Sequence, residues 1–220
     1  MRIGIIGAGH IGGALTRRFA ALGHDVFVAN SRGPETLADL TAATGARAVT
    51  VEEAVHSGDV VVVTIPEGKV PQLPPELFED VARSVAVIDT GNYYPRQRDG
   101  RIDQIEGGMP ESCWVEIRLG RPVIKAFNTI VAQHLLKRGK PAGSPDRIAL
   151  PVAGDDAATK AVVMRLVDEI GFDSVDAGDL DESWRQQPGT PVYLTDLDAQ
   201  GVRQALSEAS KERAPEWSAS

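Results

Sequence analysis

Short runs of β-branched residues alternate with longer stretches whose apolar positions recur every three to four residues. Arg2–Ile6 predicts a buried strand, followed at once by Gly7-Ala-Gly-His-Ile-Gly12. Ile11, Leu15, Phe19 and Leu22 then fall on one helical face, and Gly23 stops the helix. Asp25–Ala29 predicts a second strand. Pro34–Thr44 predicts a helix, with proline at its start and Gly45 at its end. Ala46–Val49 predicts a short strand and Val51–His56 a short helix.

Asp59–Thr64 has the uninterrupted valines of a parallel strand buried on both faces, and Val85–Asp89 and Pro122–Phe127 repeat that pattern. Pro151–Ala153 leads into Gly154-Asp-Asp, a helix-start signal. Val162, Val163, Leu166, Val167 and Ile170 form the stripe of that helix, Gly171 closes it, and Phe172–Ala177 predicts a last edge strand. Beyond Leu180 the chain is polar and rich in turns, with a weak polar helix over Asp198–Arg213 and a frayed end over Ala214–Ser220.

Strands alternating with helices imply right-handed crossovers and an α/β fold: a Rossmann-like, doubly wound, mainly parallel sheet. The expected division is a nucleotide-binding domain over residues 1–180 and a short C-terminal appendage over residues 181–220, serving as an acceptor-site cover or a dimer contact.

Gly7-x-Gly9-x-x-Gly12 gains meaning from lying between a buried strand and an amphipathic helix. Gly7 permits the tight turn, Gly9 lets the backbone approach a pyrophosphate, and Gly12 allows close helix–sheet packing. His10, Ile11 and Gly12 carry amides at the helix start, where free N–H groups favour an anion. The second strand ends in Asn30-Ser31-Arg32, without the carboxylate that would bond both ribose hydroxyls of NAD. Ser31 and Arg32 suit a 2′-phosphate, which predicts NADP(H). The strand ends Thr64-Ile65-Pro66, Asn92 and Ala126-Phe127-Asn128 are expected to line the rest of the cofactor, with His10 and Asn128 as candidates near the nicotinamide.

Composition narrows the partners. The chain carries 23 Lys+Arg against 31 Asp+Glu, a net charge of −8, which argues against nucleic acid or an anionic membrane as the main partner, because both need a basic face. Binding a polyanionic cofactor must then rely on local devices. A lone Cys113 excludes an internal disulfide or a multi-Cys metal site, and no metal is expected. The apolar run at the start is too short for a signal peptide, so a cytoplasmic location is expected. Cys113 reads as a packed thiol, Lys125 as a structural strand-end cation, His24 and His56 as surface residues, and His134 as a surface or packing residue. Trp184, Arg185 and Tyr193 read as a cover of the acceptor pocket or a cap of the sheet.

The segments Gly7–Gly12, Asn30-Ser-Arg32, Thr64-Ile-Pro66, Lys125-Ala-Phe-Asn-Thr-Ile130 and Val152-Ala-Gly-Asp-Asp156 resemble the NADP oxidoreductases that depend on the deazaflavin coenzyme F-420. Ile88-Asp-Thr-Gly-Asn92 and the Phe127–Asn128 pair are also similar to the oxidoreductase domain of the STEAP metalloreductases. The resemblance runs from Met1 to about Ala177. It implies hydride transfer between NADP(H) and coenzyme F-420 or a flavin held over the nicotinamide, and a homodimer. It assigns Ser31 and Arg32 to the 2′-phosphate, Ala8–Ile11 and Thr64–Pro66 to the dinucleotide, and Ala126–Asn128 to the nicotinamide. The segment Ser183–Tyr193 does not match the family's apolar helical end. Two other readings share the nucleotide fold: a redox-sensing module without turnover, and a small-substrate dehydrogenase completed by a dimer partner.

Overall fold

Six of the apolar runs assemble into one parallel sheet in the computed structural model, which describes residues 1–219. In chain order they are β1 (Arg2–Ile6), β2 (Asp25–Ala29), β3 (Arg47–Ala48), β4 (Val60–Val63), β5 (Ala86–Asp89) and β6 (Ile124–Lys125), and they lie side by side as β3-β2-β1-β4-β5-β6. The order reverses between β1 and β4, and a doubly wound sheet binds ligands at such a point.

Alternation along the central strands divides the core. Ile3, Ile5, Val60, Val62 and Ile88 face one layer, where they meet Leu15 and Phe19 of α1 (His10–Ala21) and Val163 and Leu166 of α7 (Ala157–Glu169). Ile6, Val61, Val63 and Val87 face the other, against Val55 of α3 (Val51–Ser57) and Trp114 and Val115 of α5 (Glu111–Leu119). Burial on both faces is what removes polar residues from these strands. The remaining helices are α2 (Ala38–Thr44), α4 (Asp103–Glu106), α6 (Ala132–Lys137) and α8 (Ala199–Ser207).

Several expectations change. The helix expected from Pro34 begins as a 3₁₀ turn over Pro34–Leu37 and becomes α2 only at Ala38, because Thr36 Oγ1 donates to Gly33 O and accepts from Asn30 Nδ2. α3 carries a capping box between Thr50 and Glu53 that fixes its start. The strand expected over Pro122–Phe127 keeps only two paired residues, since Phe127 turns the chain at φ 64°.

Phe172–Ala177 is not an edge of the main sheet. β8 (Asp173–Asp176) pairs in parallel with β7 (Ala149–Val152) in a separate two-stranded sheet, tied to β6 by one antiparallel bridge between Lys125 and Ala153. α8 stops at Ser207, since its apolar stripe, Val202, Ala205 and Leu206, ends there; the stripe packs on Ala149 and Val175. The end of the chain is not frayed over its described part. Pro215–Trp217 forms a 3₁₀ turn, and the Trp217 ring lies 5.7 Å from that of Tyr193 and 6.0 Å from that of Tyr94. Ser220 lies outside the described residues. His24 is half-buried rather than on the surface, edge-on to Phe19 and 3.2 Å from Glu169. Among the described residues no helix is long and apolar enough to cross a membrane.

Candidate functional site

The loop between β1 and α1 shows which glycines the protein itself requires. Gly7 has φ 107°, and a Cβ at Gly12 would stand 1.9 Å from Gly7 O, so neither position admits a side chain. Gly9 is different. It precedes α1 at φ −72°, which any residue adopts, and a Cβ there would meet no protein atom within 4 Å. Space kept open at the start of a 12-residue helix that has no side-chain cap and no acid in its first turn is space suited to an anion.

From this loop a cavity of about 610 Å³ runs to the end of β2. Gly7 and Gly9 line one end and Asn30, Ser31 and Arg32 the other, while Thr64, Ile65 and Pro66 form a wall. Asn30 acts on the turn itself: its Oδ1 accepts from Arg32 N at 2.9 Å. That bond presents the exposed Ser31 and Arg32 outward, and among the described residues neither side chain has a protein hydrogen-bond partner. Sequence reasoning missed Lys69, Glu52 and Gln72, which also line the cavity. Only the turn after Pro66 signalled the first of them.

Ile11 is half-buried against the core, and Gly12 is buried. His10 is exposed at the start of α1 and opens onto a second groove, of about 580 Å³, shared with Arg17, Arg32, Gln133 and Lys137. Arg32 stands between the two spaces.

At the ends of β5 and β6 the structure joins Asn92 and Asn128. Asn128 Nδ2 donates to Asn92 Oδ1 at 3.1 Å and to Gln186 O at 2.7 Å, while Gln186 Nε2 donates to Asn128 Oδ1 at 2.9 Å. The amides proposed for a nicotinamide or ribose are therefore engaged within the protein. Ala126 is fully buried, and Phe127 between them holds the left-handed conformation that bulky residues avoid. Tyr94 and Tyr193 are hydrogen-bonded through their hydroxyls, with Trp217 against both rings and the Arg98 guanidinium 4.9 Å over Tyr94. Burial and the Tyr94 hydroxyl raise the Tyr193 pKa well above the usual phenol value. Residues of the appendage thus close over the strand ends of their own chain.

Beneath these ends lies a buried charged cluster of which sequence reasoning singled out Lys125 alone. Lys125 Nζ donates to Asp89 Oδ2 at 3.0 Å and to Gly91 O at 2.7 Å, and Ser112 Oγ donates to the same Asp89 oxygen at 2.6 Å. Burial works to depress the Lys125 ammonium, but the carboxyls of Asp89, Glu67 and Glu111 outweigh it and raise its pKa. Glu111 accepts from Tyr93 N at 3.2 Å and from Arg213 Nη2 at 2.7 Å, and burial still raises its pKa. Glu67 is fully buried, and neither of its carboxyl oxygens has a hydrogen-bond partner among the described residues. Burial and then the Asp89 carboxylate push its pKa well above the usual carboxylate range. Among the described residues no cluster of His, Cys, Asp or Glu has the form of a metal site.

Residues 2–93 match the model of the family described as NADP oxidoreductase, coenzyme F-420-dependent. A curated relative, YjhV of Escherichia coli, is 48% identical over 71 residues, which are 32% of this chain and 52% of that protein. The chain thus spans about half the length of that relative. Among solved structures, the hypothetical protein SMa0349 of Sinorhizobium meliloti is 30% identical with a TM-score of 0.75, over 90% of this chain and 94% of that one. A candidate F-420-dependent NADP-reductase of Arthrobacter sp. FB24 shares the fold at 22% identity and a TM-score of 0.67, over 82% and 86% of the two chains.

Proposed function

Because this chain belongs to the family of coenzyme F-420-dependent NADP oxidoreductases, we propose that it binds NADP(H) and transfers hydride between the nicotinamide and a deazaflavin or flavin-type acceptor. The observation that carries this reading is the cavity that begins at the open Gly9 and ends at the unpaired Ser31 and Arg32.

The amides at the start of α1 hold the pyrophosphate, and Arg32 meets the 2′-phosphate with a guanidinium fork. Thr64, Ile65 and Pro66 confine the dinucleotide between β1 and β4. When bound, the nicotinamide supplies or accepts the hydride, and the protein contributes orientation and exclusion of water. Tyr94, Tyr193 and Trp217 serve the second purpose, as a packed aromatic cover at the strand ends. A reaction of this kind needs no dedicated nucleophile, in keeping with a site whose amides and tyrosine hydroxyls bind one another.

The test is titration of the purified protein with NADPH and NADH. Loss of reduced nicotinamide absorbance is then followed with a deazaflavin, a flavin, a quinone and a ferric chelate as acceptors. Tight NADPH binding with turnover of the deazaflavin or flavin supports the reading. Tight binding without turnover of any acceptor points instead to a redox-sensing module, and the closed Asn128–Gln186 contact over the strand ends is the observation in its favour.

A further inference from the structure

The buried cluster under the strand ends holds more carboxyls than cations. Glu67, Asp89 and Glu111 face Lys125 and Arg213, and Asp99 faces Glu67 from the turn after Tyr94. Lys125 is committed to Asp89 and Gly91 O, and Arg213 to Glu111. Asp99 is itself engaged, its Oδ1 accepting from Gly68 N at 3.1 Å and its Oδ2 from Tyr94 N at 2.8 Å, and its charge is paired with the Arg98 guanidinium, whose Nε donates to Oδ1 at 3.1 Å. Glu67 is left with no cation of its own. Its carboxyl and that of Asp89 both lie beside Gly91, where a Cβ would stand 2.3 Å from Glu67 Oε1 and 3.0 Å from Asp89 Oδ1. Two carboxyls buried so near one another do not both ionise, because the second charge would be neither solvated nor paired.

Glu67 also directly follows Thr64-Ile65-Pro66, the wall of the dinucleotide cavity, and Gly68 beside it is tied to Asp99. We propose that Glu67 is a positioning residue which, as a neutral carboxylic acid, seats the exit of β4 on the Asp89–Lys125 pair and thereby sets that wall. A neutral acid fills the space and adds no charge. An ionised one places a second carboxylate against Asp89, and the cheapest relief is movement of the Pro66–Gly68 turn away from it. The role of the wall rests on the dinucleotide reading given above; the protonation of Glu67 does not.

The first arm of the test uses the protein without cofactor. Where folded Glu67 keeps its proton and unfolded Glu67 has lost it, the folded state binds one proton more, so stability falls as pH rises. Glu67→Gln removes that dependence. From just above the ordinary glutamate pKa upward, the wild-type folding equilibrium constant should fall about tenfold per pH unit relative to Glu67→Gln. This continues until the buried acid ionises. A protonated-acid carbonyl band should be present in the infrared spectrum of the wild type at neutral pH and absent from Glu67→Gln. Parallel stability curves, or no such band, overturn the proposal.

The second arm reads the wall. Glu67→Gln should keep NADPH affinity at neutral pH within about twofold, whereas Glu67→Ala, which empties the seat, should weaken it about tenfold. Amide exchange over residues 64–70 should quicken in Glu67→Ala and stay at the wild-type rate in Glu67→Gln. Equal exchange in all three proteins overturns the positioning role. A wild type that binds no NADPH refutes the dinucleotide reading alone, since the stability curves and the exchange rates still decide the role of Glu67.

Discussion

Asn92 and Asn128 hold one another by a reciprocal pair of hydrogen bonds, Asn128 Nδ2 to Asn92 Oδ1 at 3.1 Å and Asn92 Nδ2 to Asn128 O at 3.0 Å. The pair joins the ends of β5 and β6, and Gln186 of the appendage completes it. The residue before Asn128, Phe127, has a positive φ that a bulky side chain adopts only under constraint. Asn128→Ala leaves Gln186 Nε2 and Asn92 Oδ1 without these partners. The expected cost is about 1–3 kcal/mol, the range for stranding buried polar groups. Thermal unfolding should show it, and limited proteolysis should find the appendage cut earlier. An unchanged Tm would mean that the pair does not anchor this region.

Arg32 offers a guanidinium that no described residue engages, on a turn held by Asn30. Arg32→Ala should weaken NADPH by about 10- to 100-fold, the loss of charge-assisted hydrogen bonds worth about 1.5–3 kcal/mol. NADH affinity should change little. Isothermal titration with both cofactors decides the matter, and equal losses for the two would rule out a 2′-phosphate site at Arg32.

Gly9 lies where the fold has room and a ligand would not. Gly9→Val should fold with a Tm close to that of the wild type, since no protein atom lies within 4 Å of the added Cβ. It should nevertheless lose NADPH binding by at least about tenfold, because the side chain occupies the approach to the helix start. Gly12→Ala is the contrast. Its Cβ would stand 1.9 Å from Gly7 O, so the loop or the helix must shift, and stability should fall whether or not cofactor is present.

Cys113 is predicted to be chemically quiet. Burial first, and then the Asp181 carboxylate, push its thiol up to about 12. The reactive thiolate is then about one part in ten thousand at about pH 8. Alkylation by iodoacetamide should be slow at neutral pH and quicken as pH rises, and Cys113→Ser should retain NADPH binding. Rapid labelling at neutral pH would contradict this picture.

The legible part of this protein is its local part. Val60–Val63 and Ala86–Asp89 announce buried strands by composition, and the glycine spacing after Ile6 announces the loop, because each is decided by neighbours in the chain. The strand after Phe172 was harder. Its type is visible in its residues, but its partner is β7 rather than the main sheet, since the turn at Phe127 cuts β6 to two residues. α5 lies within the polar stretch from Tyr93 to Gly120, and its Glu111 and Ser112 are buried only because the fold brings Lys125, Arg213 and Asp89 to them.

By itself the sequence determined the nucleotide-binding architecture and the residues presented at the end of β2. Backbone freedom at glycine, β-branched packing and the missing acid at Asn30 and Ser31 act over a few residues. Tertiary structure alone decided what lies under and over the ends of β5 and β6. Asn128 meets Gln186 across 58 residues, and Lys125 meets Asp89 across 36. The state of Glu67 depends on charges brought in from β5, β6 and α5. A buried carboxyl takes its protonation from the solvent it has lost and the charges placed beside it, and both exist only once the chain has folded.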